Sequence, residues 1–344
     1  MGRQIDWENL GFNYIQTDCF IKYVWQNGAW SQGELLTEPY LNLHIAATAL
    51  HYGQSAFEGL KAFHGKDGDI RVFRPLQNAR RMARTARRIC MPEVPEDMFV
   101  DAIERVIQAN RDYVPPYGTG GALYIRPLLF GSSPQIGVSP AEEYIFLVMV
   151  LPVGPYYKGG LQPVRAVVLE DYDRAAPQGV GNVKVAGNYA ASLEPHAKAH
   201  EQGFAVELYL DSKEHTYIEE FGTSNFVAIN GQDRFITPTS SSILPSITND
   251  SLQHIAQDMD IPVEKRPIPF DEVSTLKEAG ACGTAVVLTP VNEIVRNGRS
   301  YRVGPEQGCG EKLEVLYENV TGIQHGDKPD PYGWILNVDS ARTS

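Results

Sequence analysis

The sequence predicts a protein of mixed α+β class (mixed-sheet α/β) in two domains. Strand and helix signals intermix without regular βαβ units, which argues against a doubly wound parallel sheet. The run Pro152-Val-Gly-Pro-Tyr-Tyr-Lys-Gly-Gly160 breaks all periodicity, as a connection between domains does. A chain of 344 residues is long enough for two cores. The expected division is a small α/β domain over 1–151, a linker over 152–162 and a larger domain over 163–344.

Each element has its own signal. Residues 61–73 read as a hairpin, with glycine and aspartate clustered in a turn near 66–69. Helices are expected over 78–90 and 96–113, separated by Pro92 and Pro95. Strands follow over 122–130 and 143–151. Beyond the linker, 164–169 reads as a strand and 189–201 as a helix. Strands over 204–210, 216–220 and 225–229 lead to a hairpin turn at Asn230-Gly231. Residues 248–259 set Leu252, Ile255, Ala256 and Met259 on one helical face. The segments 285–288 and 293–295 read as strands, and 311–320 as a late helix.

Composition narrows the function. A net charge of -12 and a pI near 5.2 argue against general binding to nucleic acid or an anionic membrane, while leaving room for a local basic pocket. Cys19, Cys90, Cys282 and Cys309 form no CxxC pair and no metal-like cluster with histidine, the pattern of reduced thiols. No apolar run reaches the ~20 residues that span a bilayer, and the acidic start MGRQIDWENLGF lacks the apolar core of a secretory signal. A cytoplasmic protein without metal, membrane or nucleic-acid partner is expected.

Several residues invite a chemical reading, each beside a plainer one. Lys184 stands among small and apolar residues in Gly179-Val-Gly-Asn-Val-Lys-Val-Ala-Gly-Asn-Tyr189, where desolvation makes an amine nucleophilic. A surface lysine in a glycine loop is the alternative. Arg74, Arg80, Arg81, Arg84, Arg87 and Arg88 form either a solvated helix face or a surface offering one arginine to a phosphate. Glu219 and Glu220 end a strand, where a carboxylate either pairs with a cationic ring or meets solvent. The helix start at Ile247 and Thr248 offers amides to an anion, or simply a cap. Thr284 follows Gly283 in a turn with similar capacity. His196 and His200 lie four apart without a third metal ligand. No Walker A or GxGxxG fingerprint is present.

The order of these features is more specific than any of them. His51-Tyr-Gly-Gln-Ser-Ala-Phe-Glu-Gly-Leu-Lys-Ala62, Phe73-Arg-Pro with Arg81-Met82, and Tyr124-Ile-Arg-Pro127 come first. Lys184 with Gly187-Asn-Tyr189 follows, then Tyr217-Ile-Glu-Glu220 with Gly222-Thr223 and Asn225. Leu244-Pro with Ile247-Thr248, and Gly283-Thr-Ala285 with Thr289-Pro-Val291, complete the series. Together they resemble the branched-chain aminotransferase family, of the fold-type IV class of pyridoxal-phosphate enzymes. The resemblance runs from about Tyr40 to Val291.

That resemblance implies a two-domain fold-type IV architecture with the cofactor lysine in the second domain. It implies reversible amino transfer from L-leucine, L-isoleucine and L-valine to 2-oxoglutarate. Lys184 then bonds pyridoxal 5′-phosphate and shuttles the proton, Glu220 pairs with the pyridine nitrogen, and Tyr189 bonds the phenolic oxygen. Arg81, the amides of Ile247 and Thr248, and Thr284 hold the phosphate, with Thr223 beside the cofactor. Phe57, Gly59, Tyr124, Val153 and Tyr156 line the substrate pocket. Arg126 positions carboxylates with Tyr124, and Thr284 with Ala285 seats the α-carboxylate. Tyr52, Ile136 and Val138 reach the neighbouring site across a homodimer. Ser246 stands where glycine is common, and no cysteine pair follows Thr284, so a thiol switch there is not expected. The alternatives are a sister activity on D-amino acids or (R)-amines, and a non-catalytic binding protein. The Tyr124–Pro127 block and the length favour the branched-chain reading over the first. Lys184 and Glu220 argue against the second.

Overall fold

The computed structural model describes residues 5–155 and 160–338. These fall into two compact units. The first comprises 5–155, Lys184–Gly187 and 322–338, and the second 160–183 with 188–321. The sequence placed Lys184 and the C-terminal tail in the second domain; contacts place both in the first. The reason is backbone pairing. Val185 bridges to Ala56, Phe57 N–H donates to the Lys184 carbonyl, and Ile335–Val338 pairs with Ile70–Phe73. Of the expected linker, Pro152 and Val153 belong to a strand, Tyr144–Val153.

The first unit holds an antiparallel sheet of nine described strands. Its main path runs Ile335–Val338, Ile70–Phe73, Leu60–His64, Ala122–Gly131, Tyr144–Val153, Phe20–Gln26, Ala29–Trp30. The expected hairpin is present, with Gly65 N–H closing on the Asp69 carbonyl at 2.8 Å. Two helices cover one face. Pro75–Arg88 starts on Pro75, whose missing N–H costs nothing in a first turn, and it buries Ala79, Met82 and Ala86. Glu96–Ala109 buries Phe99, Ala102, Ile103, Val106 and Ile107, a strict three-and-four spacing, with Glu96 and Asp97 favourably placed at its positive end. The outward arginines are the solvated face: Arg80 pairs with Glu96 and Arg87 with Glu93 at the surface.

The second unit is built on a mixed sheet of ten described strands. Six of them close into a ring: Asn225–Ile229, Glu278–Gly283, Val287–Arg296, Val164–Val168, Val206–Leu210, Tyr217–Phe221, and back to Asn225–Ile229. Val164–Val168 pairs parallel with both neighbours, while the other ring pairings are antiparallel. Ala166, Leu208, Ile218, Phe221, Phe226 and Ala281 are among the side chains of the core. The ring closes through the pair Glu220–Asn225. The expected helix over 189–201 is two helices, Ala186–Ala191 and Leu193–Glu201, divided at Ser192. The expected strand at 285–288 is mostly a turn over 284–286, and the strand begins at Val287.

Candidate active site

In the first unit, one sheet face gathers the chemistry. Cross-strand pairs set Phe57 beside Leu128, Lys61 beside Tyr124, Tyr124 beside Leu151, Arg126 beside Met149 and Ala122 beside Val153. Paired residues share a face, so Phe57, Lys61, Tyr124, Arg126 and Val153 lie together. Ala56, Leu60 and Ile125 point the other way, into the core. Arg126 Nη2 donates to the Tyr124 hydroxyl at 3.0 Å, and its guanidinium lies 4.7 Å from the Phe57 ring centre. Arg126 Nε is buried with no hydrogen-bond partner among the described residues. A Cβ on Gly59 would stand 2.3 Å from the Tyr124 hydroxyl, so glycine is what leaves that group its place.

Lys184 joins this face through its backbone. Its N–H donates to Thr85 Oγ1 at 3.1 Å, and its Nζ lies 4.7 Å from the centre of the Phe57 ring. Burial, followed by the nearby Arg81 cation, lowers its ammonium from 10.5 to about 8. A usable fraction of the amine is therefore unprotonated near neutral pH, the state that attacks a carbonyl. Arg81 itself is buried and held by both oxygens of Glu58, through Nε at 2.8 Å and Nη2 at 2.7 Å. Asn78 Nδ2 donates to Glu58 Oε2 at 2.8 Å. Lys61, opposite Tyr124, is also lowered to about 8 by burial.

In the second unit the centre is Glu220. Oε2 accepts from Asn225 Nδ2 at 2.9 Å, and Oε1 from the Leu244 N–H at 3.0 Å and from Arg174 Nη2 at 2.5 Å. Burial pushes the carboxyl up to about 7, against the opposing pull of Arg174. The helix Ile247–Asp258 starts nearby in this network. Ser246 caps it by accepting from the Asn249 N–H at 3.1 Å, and Asn249 Nδ2 reaches Asn225 Oδ1 at 3.3 Å. Register sets Asn225 against Cys282, two residues before Thr284. The 284–286 turn then runs into Val287, whose φ is +65°. A β-branched residue rarely adopts that backbone, and such strain gathers at functional sites.

Residues 55–294 match the family described as Amino-transferase class IV. The chain belongs to this family. Among its relatives, the branched-chain-amino-acid aminotransferase of Haemophilus influenzae is 50% identical over 343 residues, covering 98% of this chain and 100% of that protein. That of Helicobacter pylori is 46% identical over 336 residues, covering 97% and 98%. The crystal structure of the Escherichia coli branched-chain amino acid aminotransferase superposes with a TM-score of 0.78 at 27% identity, covering 92% of this chain and 99% of that one.

Class IV aminotransferases of fold type IV work with pyridoxal 5′-phosphate, and the groups present fit it. This class IV chain supplies an amine of lowered basicity, a buried guanidinium, a buried carboxylate and a capped helix start. Of the expected site residues, Lys184, Arg81, Phe57, Gly59, Tyr124, Arg126 and Val153 gather in the first unit. Glu220, Ile247 and Thr248 gather in the second, with Thr284 and Ala285 on the turn beyond Cys282. Tyr189 lies half-buried in the helix Ala186–Ala191, and Thr223 is exposed on the bend after Phe221. Tyr52, Ile136 and Val138 are exposed, and the Tyr52 hydroxyl donates to the Ile136 carbonyl. Tyr156 lies outside the described residues. No helix among the described residues is long and apolar enough to cross a membrane.

Three residues of this aminotransferase were not singled out by sequence reasoning. Glu58 had a signal: it shares strand phase with Ala56 and Leu60, and a charge on the core face requires a partner. Lys61 lies within the segment 51–62, where an isolated lysine reads as a surface residue. Arg174, in a loop without periodicity, had no signal at all.

Proposed function

We propose that the chain transfers the amino group of L-leucine, L-isoleucine or L-valine to 2-oxoglutarate, in two alternating half-reactions. The observation that carries the reading is the face where the Lys184 amine lies against Phe57, beside Tyr124, Arg126 and Val153. Those rings and Val153 form an apolar wall for a branched side chain. The Arg126–Tyr124 pair at its edge serves the second carboxylate of glutamate. The names of the relatives support the same substrates.

Pyridoxal phosphate, when bound, supplies the electron sink that makes the substrate Cα–H bond acidic. Lys184 Nζ holds the cofactor between turnovers, then takes the Cα proton and returns it. Arg81, the Ile247 and Thr248 amides and the Thr284 hydroxyl bind the phosphate, as two-pronged cations and helix starts do. Tyr189 orients the phenolic oxygen, Glu220 faces the ring nitrogen, and Thr223 lies beside the cofactor. Thr284 and Ala285 seat the α-carboxylate, and Gly59 and Tyr156 complete the pocket. The working form is a cytoplasmic homodimer in which Tyr52, Ile136 and Val138 approach the neighbouring site.

The test is the absorption spectrum of the purified protein with substrates added singly. L-leucine should exchange the visible band of the carbonyl form for the near-ultraviolet band of the amine form, and 2-oxoglutarate should restore it. Silence with L-leucine and a response to a D-amino acid or an (R)-amine would move the function to a sister activity. In Lys184→Ala the exchange should be lost.

A further inference from the structure

A second enclosed ion pair lies in the second unit, at a residue no motif marked. Arg174 follows the strand Val164–Val168 in a loop, with only 8% of its side chain exposed. Its Nη2 alone meets three acceptors: Glu220 Oε1 at 2.5 Å, the Ser242 carbonyl at 2.6 Å and the Gly181 carbonyl at 2.7 Å. Its Nε is buried with no hydrogen-bond partner among the described residues. The guanidinium thus gathers these contacts at one nitrogen, where Glu220 meets it between two backbone carbonyls.

The surroundings make this aim rigid. Ser240 Oγ donates to Glu219 Oε1 at 2.7 Å, and Ser242 Oγ donates to the same oxygen. Gly181 runs so close to Ser242 that a Cβ there would stand 2.2 Å from the Ser242 carbonyl oxygen. Two loops and a carboxylate therefore converge on one cation.

We propose that Arg174 is a positioning residue for Glu220, holding it ionised and oriented so that the proton between this carboxylate and the pyridine nitrogen rests on the nitrogen. The inference relies on the reading of Glu220 as the partner of that nitrogen. When two bases compete for one proton, the base whose unprotonated form is stabilised yields it, and an adjacent cation stabilises a carboxylate in that form. An arginine keeps its charge at any working pH, so the bias is constant. Glu219 opposes it as a like charge, and burial pushes the carboxyl up, towards its neutral form. The Cys282 thiol, pushed up by burial, adds no charge, and Asn225 and the Leu244 N–H are neutral donors.

The experiment is nitrogen-15 NMR of the holoenzyme loaded with ring-labelled pyridoxal phosphate, in wild type, R174K, R174Q and E220Q. The wild-type nitrogen should read as protonated. R174Q, which keeps a donor and loses the charge, should read as neutral. R174K should lie between, because an amine cannot serve three fixed acceptors as the guanidinium does. Wild-type shifts in both Arg174 variants overturn the proposal and leave Arg174 a loop staple. If R174Q does not fold, R174K decides alone: an intermediate shift supports the proposal and a wild-type shift overturns it. E220Q separates the two readings. A nitrogen still protonated in E220Q means that Glu220 is not its partner, and the failure then lies with the role of Glu220.

Discussion

Glu58 is enclosed completely, and three donors occupy its two oxygens. An ion pair in that setting is stable only while whole, because either charge left alone is stranded away from water. Glu58→Gln should therefore cost ~3–5 kcal/mol in urea unfolding. The same change removes an anion that supports the Lys184 ammonium, so the amine should titrate lower still. Labelling of Lys184 by an amine-selective reagent against pH would show this as a shift of the profile to lower pH. Glu220 gives a prediction of the opposite form. Its folded carboxyl, near 7, lies above its ordinary 4.5, so the native state binds that proton more tightly than the unfolded chain. Its contribution is full below about pH 4.5 and is lost as pH rises to about 7. Melting temperatures of the cofactor-free protein across this window should fall more steeply in wild type than in Glu220→Gln. Parallel curves would refute the shift.

Helices were the most legible elements because an amphipathic period repeats over many residues. Both arginine-rich and acidic helices of the first unit were found, and their ends moved by a few residues. The first begins three residues earlier than expected, since Leu76 and Gln77 face outward and give no periodic mark. The strand Glu278–Gly283 escaped notice because Ala279, Gly280, Ala281 and Gly283 carry no strand propensity. Packing explains those residues: a Cβ on Gly280 would meet Leu288 Cδ1 at 2.6 Å. Ser246, unusual as a replacement for glycine, has an evident use as the cap of Ile247–Asp258. Ser246→Ala should cost ~1 kcal/mol of stability. If melting is unchanged, the cap bond contributes nothing. Gly181→Ala forces a backbone shift against Ser242 and should cost more, ~1–3 kcal/mol.

The molecule as a whole consists of two units that the chain enters more than once. The tail returns to the first unit as the strand Ile335–Val338, which lies at the edge of its sheet. Composition argued against membrane and nucleic-acid classes, yet it says nothing of assembly. Exposed Ile136 and Val138, at 69% and 89%, are apolar side chains that a second copy would cover in the proposed homodimer. Val138→Asp touches no core and should leave the subunit folded while shifting sedimentation from dimer to monomer. A dimer of undiminished affinity would mean that this loop lies outside the interface.

The sequence by itself determined the mixed class, most helices and hairpins and the family, and it singled out Lys184, Arg81 and Glu220 as candidates. Those features are local, or they are fixed blocks in fixed order. Only tertiary structure decided that Lys184 packs with the N-terminal unit, that Glu58 grips Arg81 and that Arg174 grips Glu220. Each joins segments apart in the chain: Glu58 and Arg81 are 23 positions apart, and Arg174 and Glu220 are 46. A periodicity records which face a residue takes, and it carries no record of which distant charge will meet it. Burial makes those meetings obligatory, since a charge inside the fold must find its partner.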